Sequence, residues 1–193
     1  MAGISDVATE FEAFADWLTE TRPYMLRTIA TLQNGFEGWL KLELYSWLTN
    51  VRSTPLVPEQ DVGLEYKLTL DRRHRVTTKQ CDIWIRDVSE KGYHYVELKA
   101  PFDNGNRAKI LTSAAHDFWY MSRIRASYEQ AVSGNAIVLG VRFTDESWSI
   151  GIEDVLAEAG LPEGATPVRN GSLDTAGSIR WSILTKRYRE SAG

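Results

Sequence analysis

Apolar residues in the N-terminal part of the chain recur at three- and four-residue spacing. Val7, Phe11, Phe14 and Leu18 share one face at this spacing, and a Ser-Asp pair just before them suits the start of a helix. The same periodicity returns twice more, after a proline and after an Asn-Gly stop signal. We predict helices at residues 5–21, 23–32 and 36–48.

The pattern then changes to an alternation of apolar and polar residues, which is typical of half-buried strands. A proline-containing loop over residues 50–61 precedes it. Strands are predicted at residues 62–70, 81–86 and 93–99. The nearly continuous apolar run 136–141 predicts a strand buried on both faces.

Helical spacing returns after the third strand, and the C-terminal part mixes short elements with a loop. Residues 112–132 are predicted to be helical, with Gly134-Asn135 as the break that ends the helix. We expect a short strand at 148–152, a short helix at 153–159 and a last strand at 178–184. The glycine- and proline-rich segment 162–177 is predicted to be a mobile loop.

These elements predict an α/β fold in one domain, with a central mixed β-sheet flanked by helices. A chain of 193 residues that is 43% hydrophobic is long enough for one globular domain with a full core. Within residues 1–193 we distinguish N-terminal helices (5–33), a core (about 36–142) and a C-terminal extension (143–193).

Composition narrows the possible functions. The single Cys81 excludes an internal disulfide framework, and His74, His94 and His116 are too scattered to form a zinc site with it. No apolar run is long enough to cross a bilayer, so we expect a soluble, cytoplasmic protein without a membrane partner. Most of the seven tryptophans and eight tyrosines should be core residues, with a few available for base stacking.

The strands 81–86 and 93–99 carry the candidate chemistry. Glu97 and Lys99 share one face of the second strand, and Asp82 lies near the start of the first. If the two strands pair as an antiparallel hairpin, Asp82, Glu97 and Lys99 come together. Two carboxylates beside a lysine suit Mg²⁺ binding and phosphodiester hydrolysis. The alternative is ordinary cross-strand charge pairing on a solvated hairpin.

With Asp82 and the Glu97-Leu98-Lys99 triplet, the sequence resembles the PD-(D/E)XK nuclease superfamily, which has the restriction-endonuclease-like fold. Cys81 stands where the family pattern has proline, a departure that does not touch the ligands. The resemblance implies a core of helix, three strands, helix and strand. It also implies that Asp82 and Glu97 hold Mg²⁺ or Mn²⁺ and that Lys99 assists the attacking water.

The superfamily fold commonly adds a glutamate from the helix before the strands, and two residues are candidates here. Glu43 falls within the apolar stripe of Phe36, Leu40 and Trp47, where an unpaired charge is costly, so we favour it as a further metal and catalytic residue. Glu37 is the alternative, although Lys41 at i+4 offers it a surface pair. Both could also be solvated edges of an amphipathic helix.

Basic residues near these strands are candidates for contacts with a nucleic-acid backbone. Arg72, Arg73 and Arg75 form the densest positive charge in the chain, and Arg107 follows the loop after Lys99. A solvated hairpin tip explains the first three equally well. His116 and Asp117 on the next helix could assist the site, but an ordinary solvated face is the simpler explanation.

The sequence therefore predicts a Mg²⁺-dependent nuclease that acts on DNA, or else on RNA. A second copy of the chain or a regulatory protein is an expected partner, since a lone nuclease domain needs paired cuts or controlled access. Two rivals stay open: a catalytically silent nucleic-acid-binding module of the same fold, and a protein-interaction module whose net charge of −4 suits a basic partner.

Overall fold

The structure, a computed structural model, describes residues 2–31, 36–71, 76–89, 91–100, 107–160, 168–173 and 179–188. Its helices are α1 (Val7–Thr21), α2 (Pro23–Thr31), α3 (Glu37–Ser46), α4 (Arg107–Met121), α5 (Ala126–Glu129) and α6 (Asp145–Glu158), and a π-helical turn (Trp47–Val51) extends α3. Its strands are β1 (Val62–Thr69), β2 (Thr78–Arg86), β3 (Tyr93–Lys99), β4 (Ala131–Val141), β5 (Val168–Ser172) and β6 (Ile179–Arg187).

The six strands form one mixed sheet in the order β1-β2-β3-β4-β6-β5. The strands β1, β2 and β3 pair antiparallel, as expected for strands joined by short connections. The connection through α4 and α5 is long enough to bring β4 back parallel to β3. The strands β6 and β5 continue the sheet antiparallel. The predicted α/β class and mixed sheet are confirmed.

Helices cover both faces of the sheet and create two hydrophobic layers. The first layer packs α1, α2 and α3 against side chains such as Ile83, Val96 and Ile183. The second packs α4 and α6 against the opposite face. The strand β4 lies between the two layers, and its residues from Ser133 to Val141 are all buried, which confirms the strand predicted from its apolar run.

The helix predicted over residues 112–132 is wrong at both ends. Helix α4 ends at Met121, α5 is a separate short helix, and Gln130 in the left-handed conformation (φ 51°) turns the chain into β4. Gly134 does not break a helix but lies within β4. There a Cβ would overlap the Met121 carbonyl, so glycine permits the close approach of the end of α4.

Two further predictions for the C-terminal part are wrong. Residues 148–152 belong to α6, which begins after a capping box formed by Thr144 and Ser147. Residues 168–172 of the predicted loop form the edge strand β5, which pairs with β6. Leu173 of that loop is buried, and residues 162–167 and 174–177 lie outside the described part of the chain.

Within the described part of the chain, no helix has the length and apolar character needed to span a membrane.

Candidate functional site

The candidate site lies where β2 and β3 separate, near the C-terminal end of β3. The pairing of Ile83 with Val96 places Asp82 and Glu97 at the next position of the antiparallel pair, which confirms the predicted hairpin. The backbone pairing of β2 with β3 ends at this point. The Leu98 backbone N–H instead donates a hydrogen bond of 2.8 Å to Oδ2 of the Asp82 side chain. This bond fixes the direction of the Asp82 carboxylate.

Opposite Asp82, strand β1 has an irregular backbone at Glu65. Leu64 pairs with Ile83 and Tyr66 pairs with Cys81, but Glu65 lies between them with a φ of 56°, which is unusual for a residue other than glycine. The glutamate is held by Lys41, whose Nζ lies 3.0 Å from Glu65 Oε1 and 3.2 Å from Asp82 Oδ1. Helix α3 is thereby tied to both strands beside the site.

Glu97 is almost completely buried, with a relative exposure of 7%. Lys79 Nζ lies 3.3 Å from Glu97 Oε1, while Oε2 is buried and has no hydrogen-bond partner among the described residues. Burial raises the pKa of Glu97 to about 8, and the negative charges of Asp82 and Asp117 add to the shift. The site thus holds a carboxyl group with an unused oxygen and an excess of negative charge around it.

Lys99 lies between the two helices that flank the site. Its Nζ is 3.1 Å from Asp117 Oδ2 on α4 and 3.5 Å from Glu37 Oε2 on α3. Burial opposes the ammonium charge, but Asp117 and Glu37 outweigh it and raise the pKa of Lys99. The amine therefore stays protonated at neutral pH, so it can donate hydrogen bonds and supply positive charge but cannot act as a base.

The structure places Glu37, and not the favoured Glu43, next to the predicted lysine. The carboxylate of Glu43 is 3.5 Å from Arg22 at the end of α1, and the buried positions of α3 are Leu40 and Leu44. The predicted stripe of Phe36, Leu40 and Trp47 is buried, but Glu43 lies at its half-buried edge, where Arg22 pairs with it. Burial, opposed by Lys99 and reinforced by Asp82, raises the pKa of Glu37. Its expected surface pair with Lys41 is replaced by the contact with Lys99.

Four residues of the site were missed or undervalued in the sequence. Lys41 was assigned to a surface pair, Asp117 was given a solvated face, and Glu65 and Lys79 were not considered. Asp117 is buried and its Oδ1 lies 2.9 Å from Lys79 Nζ, while its neighbour His116 is exposed. The sequence did contain a sign that Asp117 is buried, because at helical spacing it shares a face with the apolar residues Ala114, Phe118 and Met121.

We call the whole set the carboxylate–lysine cluster: Glu37, Glu65, Asp82, Glu97 and Asp117 with Lys41, Lys79 and Lys99. Lysines separate the carboxylates, and accordingly no group of three or more His, Cys, Asp or Glu side chains in the described segments is arranged to hold a metal ion. The chemistry of the donors nevertheless suits a hard divalent cation, since carboxylates outnumber lysines and Glu97 Oε2 is unpartnered.

The predicted nucleic-acid contacts cannot be placed at the site. Arg72, Arg73 and Arg75 lie outside the described residues, and Arg107 is placed only as the first residue of α4. The residues that flank the first three are placed: the Asp71 N–H donates to the Arg123 carbonyl and the Arg125 N–H to the Thr69 carbonyl. The end of β1 thus lies beside two arginines of the segment between α4 and α5.

Comparison with known proteins does not identify a relative of this chain, since no family model, no curated protein and no solved structure matches it.

Proposed function

We propose that the protein is a divalent-metal-dependent nuclease whose site is the carboxylate–lysine cluster. The observation that carries the proposal is the buried Glu97 beside Asp82, with one oxygen unpartnered and its pKa raised to about 8. A buried carboxyl group beside other carboxylates is electrostatically unfavourable, and groups with a strongly shifted pKa are typical of functional sites. The antiparallel β1-β2-β3 unit, followed by a helix and a parallel strand, supports a restriction-endonuclease-like core.

In this proposal Asp82 and Glu97 hold Mg²⁺ or Mn²⁺, and Glu37 completes the acidic shell in place of Glu43. When bound, the metal supplies positive charge that stabilises the phosphate as negative charge develops on it. Asp82 is already oriented by the Leu98 N–H, and Glu97 offers its free oxygen. Glu97 must release its proton, and Lys79 must give up part of its contact with Glu97.

Lys99 then acts as a positioning and charge-stabilising group. Asp117 and Glu37 hold its ammonium at the end of β3, within reach of the space above Glu97. A protonated amine can orient an attacking water and stabilise the charged phosphate, whereas the proton of that water has to pass to another group. Lys99 therefore contributes to the reaction through charge and not through basicity.

A second candidate is a catalytically silent nucleic-acid-binding module of the same fold. It is favoured by one specific observation, which is that each of Asp82, Glu97 and Asp117 already has a lysine partner. In such a protein the lysines would replace the metal permanently. The two candidates differ in whether a divalent cation can displace a lysine from Glu97.

Calorimetric titration with Ca²⁺ and Mn²⁺ tests the proposal, with cleavage of plasmid DNA, single-stranded DNA and RNA measured on the same preparations in Mg²⁺. Asp82→Asn and Glu97→Gln should abolish metal binding and cleavage. Lys99→Ala should keep the metal and lower the cleavage rate on the order of 100-fold. Lys91→Ala, at an exposed lysine near the turn of the same hairpin, is the matched control and should behave as wild type.

Wild-type protein that binds nucleic acid but neither binds a divalent cation nor cuts any substrate would overturn the nuclease proposal and favour the silent module. Circular dichroism of each variant separates loss of the site from loss of the fold.

A further inference from the structure

An aromatic pocket lies on the sheet face that carries Glu97. Its volume is about 420 Å³, and its lining includes Tyr66, Trp84, Tyr93, Tyr95, Tyr128 and Gln130. The strand β3 connects the pocket to the carboxylate–lysine cluster, because Tyr93, Tyr95, Glu97 and Lys99 alternate onto the same face. Residues two apart on a strand are separated by about 7 Å, so the pocket begins roughly one nucleotide length from Glu97.

The aromatic rings form a continuous wall. The rings of Tyr66 and Tyr95 are stacked with centroids 5.7 Å apart, and Trp84 meets Tyr93 edge to face at 5.6 Å. Gly63 makes room for the indole of Trp84, since a Cβ at that position would overlap it. At the rim, Tyr66 is 40% exposed and Tyr128 is 66% exposed, which leaves ring surface open to a ligand.

Charged groups of both signs lie around the pocket: the exposed Glu59 is part of its lining, and two arginines lie over rings of its wall. Arg86 lies over Tyr93 at 5.8 Å and is paired with Asp61 at 3.2 Å. The exposed Arg125 lies over one face of Tyr128 at 5.6 Å, where it can attract a phosphate, and the 66% exposure of Tyr128 leaves ring surface open for stacking. The buried Glu129 is not available to an ammonium group. Its Oε1 accepts from the Thr69 N–H at 2.6 Å, and its Oε2 accepts from the Tyr66 hydroxyl at 3.2 Å.

Gln130 supplies a polar group suited to the edge of a heterocyclic base. The residue is exposed and has a φ of 51°, a conformation that costs energy for a side chain other than glycine. Its carbonyl accepts from the Tyr93 N–H, while its carboxamide bonds to none of the described residues. A carboxamide offers a donor and an acceptor together, as base edges require.

We propose that this pocket binds one nucleobase of a nucleic-acid strand, stacked on the open rings of Tyr66 and Tyr128 and paired at its edge with Gln130. The inference rests on the proposed nuclease function for the identity of the ligand. It adds a site that positions the strand, so that a neighbouring phosphate reaches Glu97 and Lys99.

The test measures binding of two fluorescently labelled single-stranded oligonucleotides of equal length in EDTA, one with normal bases and one with a central run of abasic residues. Wild type should bind the base-bearing strand at least about fivefold more tightly, the lower end of the effect of one stacked base. Tyr128→Ala and Gln130→Gly should remove this difference and leave abasic binding unchanged. Glycine keeps the left-handed backbone at position 130.

Tyr24→Ala is the matched control, because Tyr24 is also an exposed tyrosine with an arginine, Arg27, over its ring at 5.0 Å, but lies on α2. This variant should retain the full preference for bases. Equal losses on both strands in the pocket variants would overturn the proposal, as would tight binding of free trimethyllysine. If the protein prefers the base-bearing strand but cleaves nothing, only the nuclease proposal is overturned. If it cleaves but shows no preference for bases, only the proposal of a base-binding pocket is overturned.

Discussion

At the scale of single residues, Glu97 is the group whose properties depend most on its surroundings. In the metal-free protein its pKa of about 8 keeps the carboxyl group protonated at neutral pH. An unfolded chain would ionise the same group near pH 4.3. Folding therefore binds this proton more tightly, and the stabilisation that accompanies it is present at low pH and lost as the pH rises towards 8.

Because Glu97 is protonated at neutral pH, we expect the affinity for a divalent cation to depend on pH. Because Glu97 must ionise before it can bind a cation, the association constant for Ca²⁺ should rise about tenfold per pH unit up to pH 8 and then level off. Calorimetry at several pH values, repeated in buffers of different ionisation enthalpy, measures the release of one proton per ion. An affinity that does not change between pH 6 and pH 8 would contradict the assignment of Glu97 as a ligand.

Glu37 and Glu43 provide a matched comparison on one helix. Glu37→Gln removes a carboxylate that contacts Lys99, so cleavage should fall by about tenfold or more while the fold is retained. Glu43→Gln removes only the contact with Arg22 and should leave cleavage unchanged. Rates measured on one substrate distinguish the two, and an equal loss in both variants would show that neither glutamate has a specific role.

At the scale of elements, a buried polar chain links the strands behind the site. His94 on β3 contacts Asp87 through Nε2 at 3.0 Å and Ser133 on β4 through Nδ1 at 2.8 Å. Ser133 also accepts from Asn135, and Thr185 on β6 donates to the Asn135 amide oxygen. These bonds satisfy buried polar groups and couple three neighbouring strands.

His94 gives the sheet a sensitivity to acid. Burial lowers the pKa of His94 despite the attraction of Asp87, so the folded state takes up its proton at lower pH than the unfolded state does. The contribution to stability is present above pH 6.5 and falls below it by at most about 1.4 kcal/mol per pH unit. Glu97 changes stability in the opposite direction, so a variant is needed to isolate the effect.

The comparison uses urea unfolding of wild type, His94→Gln and His116→Gln between pH 5 and pH 7.5. The difference in stability between wild type and His94→Gln should shrink or reverse as the pH falls, because glutamine cannot be protonated. The exposed His116 serves as the control for replacing a histidine by glutamine. A difference that is constant over this range would mean that His94 titrates alike in both states.

The predicted secondary structure differs from the observed one at segments whose conformation depends on tertiary contacts. Residues 148–152 were predicted to be a short strand, but the capping box at Thr144 and Ser147 and the burial of Trp148 and Ile152 favour a helix. Edge strand β5 contains Asn170 and Gly171 and has no apolar alternation. It exists because β6 offers an open edge for pairing.

At the scale of the whole molecule, helix α1 connects the two ends of the chain through one aromatic group. Phe14 is fully buried, with its ring 5.6 Å from Phe11 and 5.9 Å from Trp47 after α3. Phe11 in turn meets Trp181 on β6 edge to face at 5.3 Å. The N-terminal helices, the core and the C-terminal extension therefore share a hydrophobic layer, as a single folding unit requires.

Phe14→Ala should consequently destabilise the entire protein and not only α1. The loss of a buried phenyl ring costs about 3–5 kcal/mol. Far-ultraviolet circular dichroism and tryptophan fluorescence should report the same lowered transition. Tyr24→Ala, at a position 78% exposed, should change stability by less than about 0.5 kcal/mol. Two separate transitions in Phe14→Ala would contradict the prediction of a single domain.

The sequence by itself determined the α/β class, the antiparallel hairpin and the proximity of Asp82 to Glu97, because strand periodicity fixes which residues share a face and a short turn fixes the pairing. Only the tertiary structure decided that Glu37 contacts Lys99, that Lys79 and Asp117 join the cluster, and that the aromatic pocket lies beside it. These contacts join residues far apart in the chain, and their geometry depends on how helices pack on the sheet, which local periodicity does not specify.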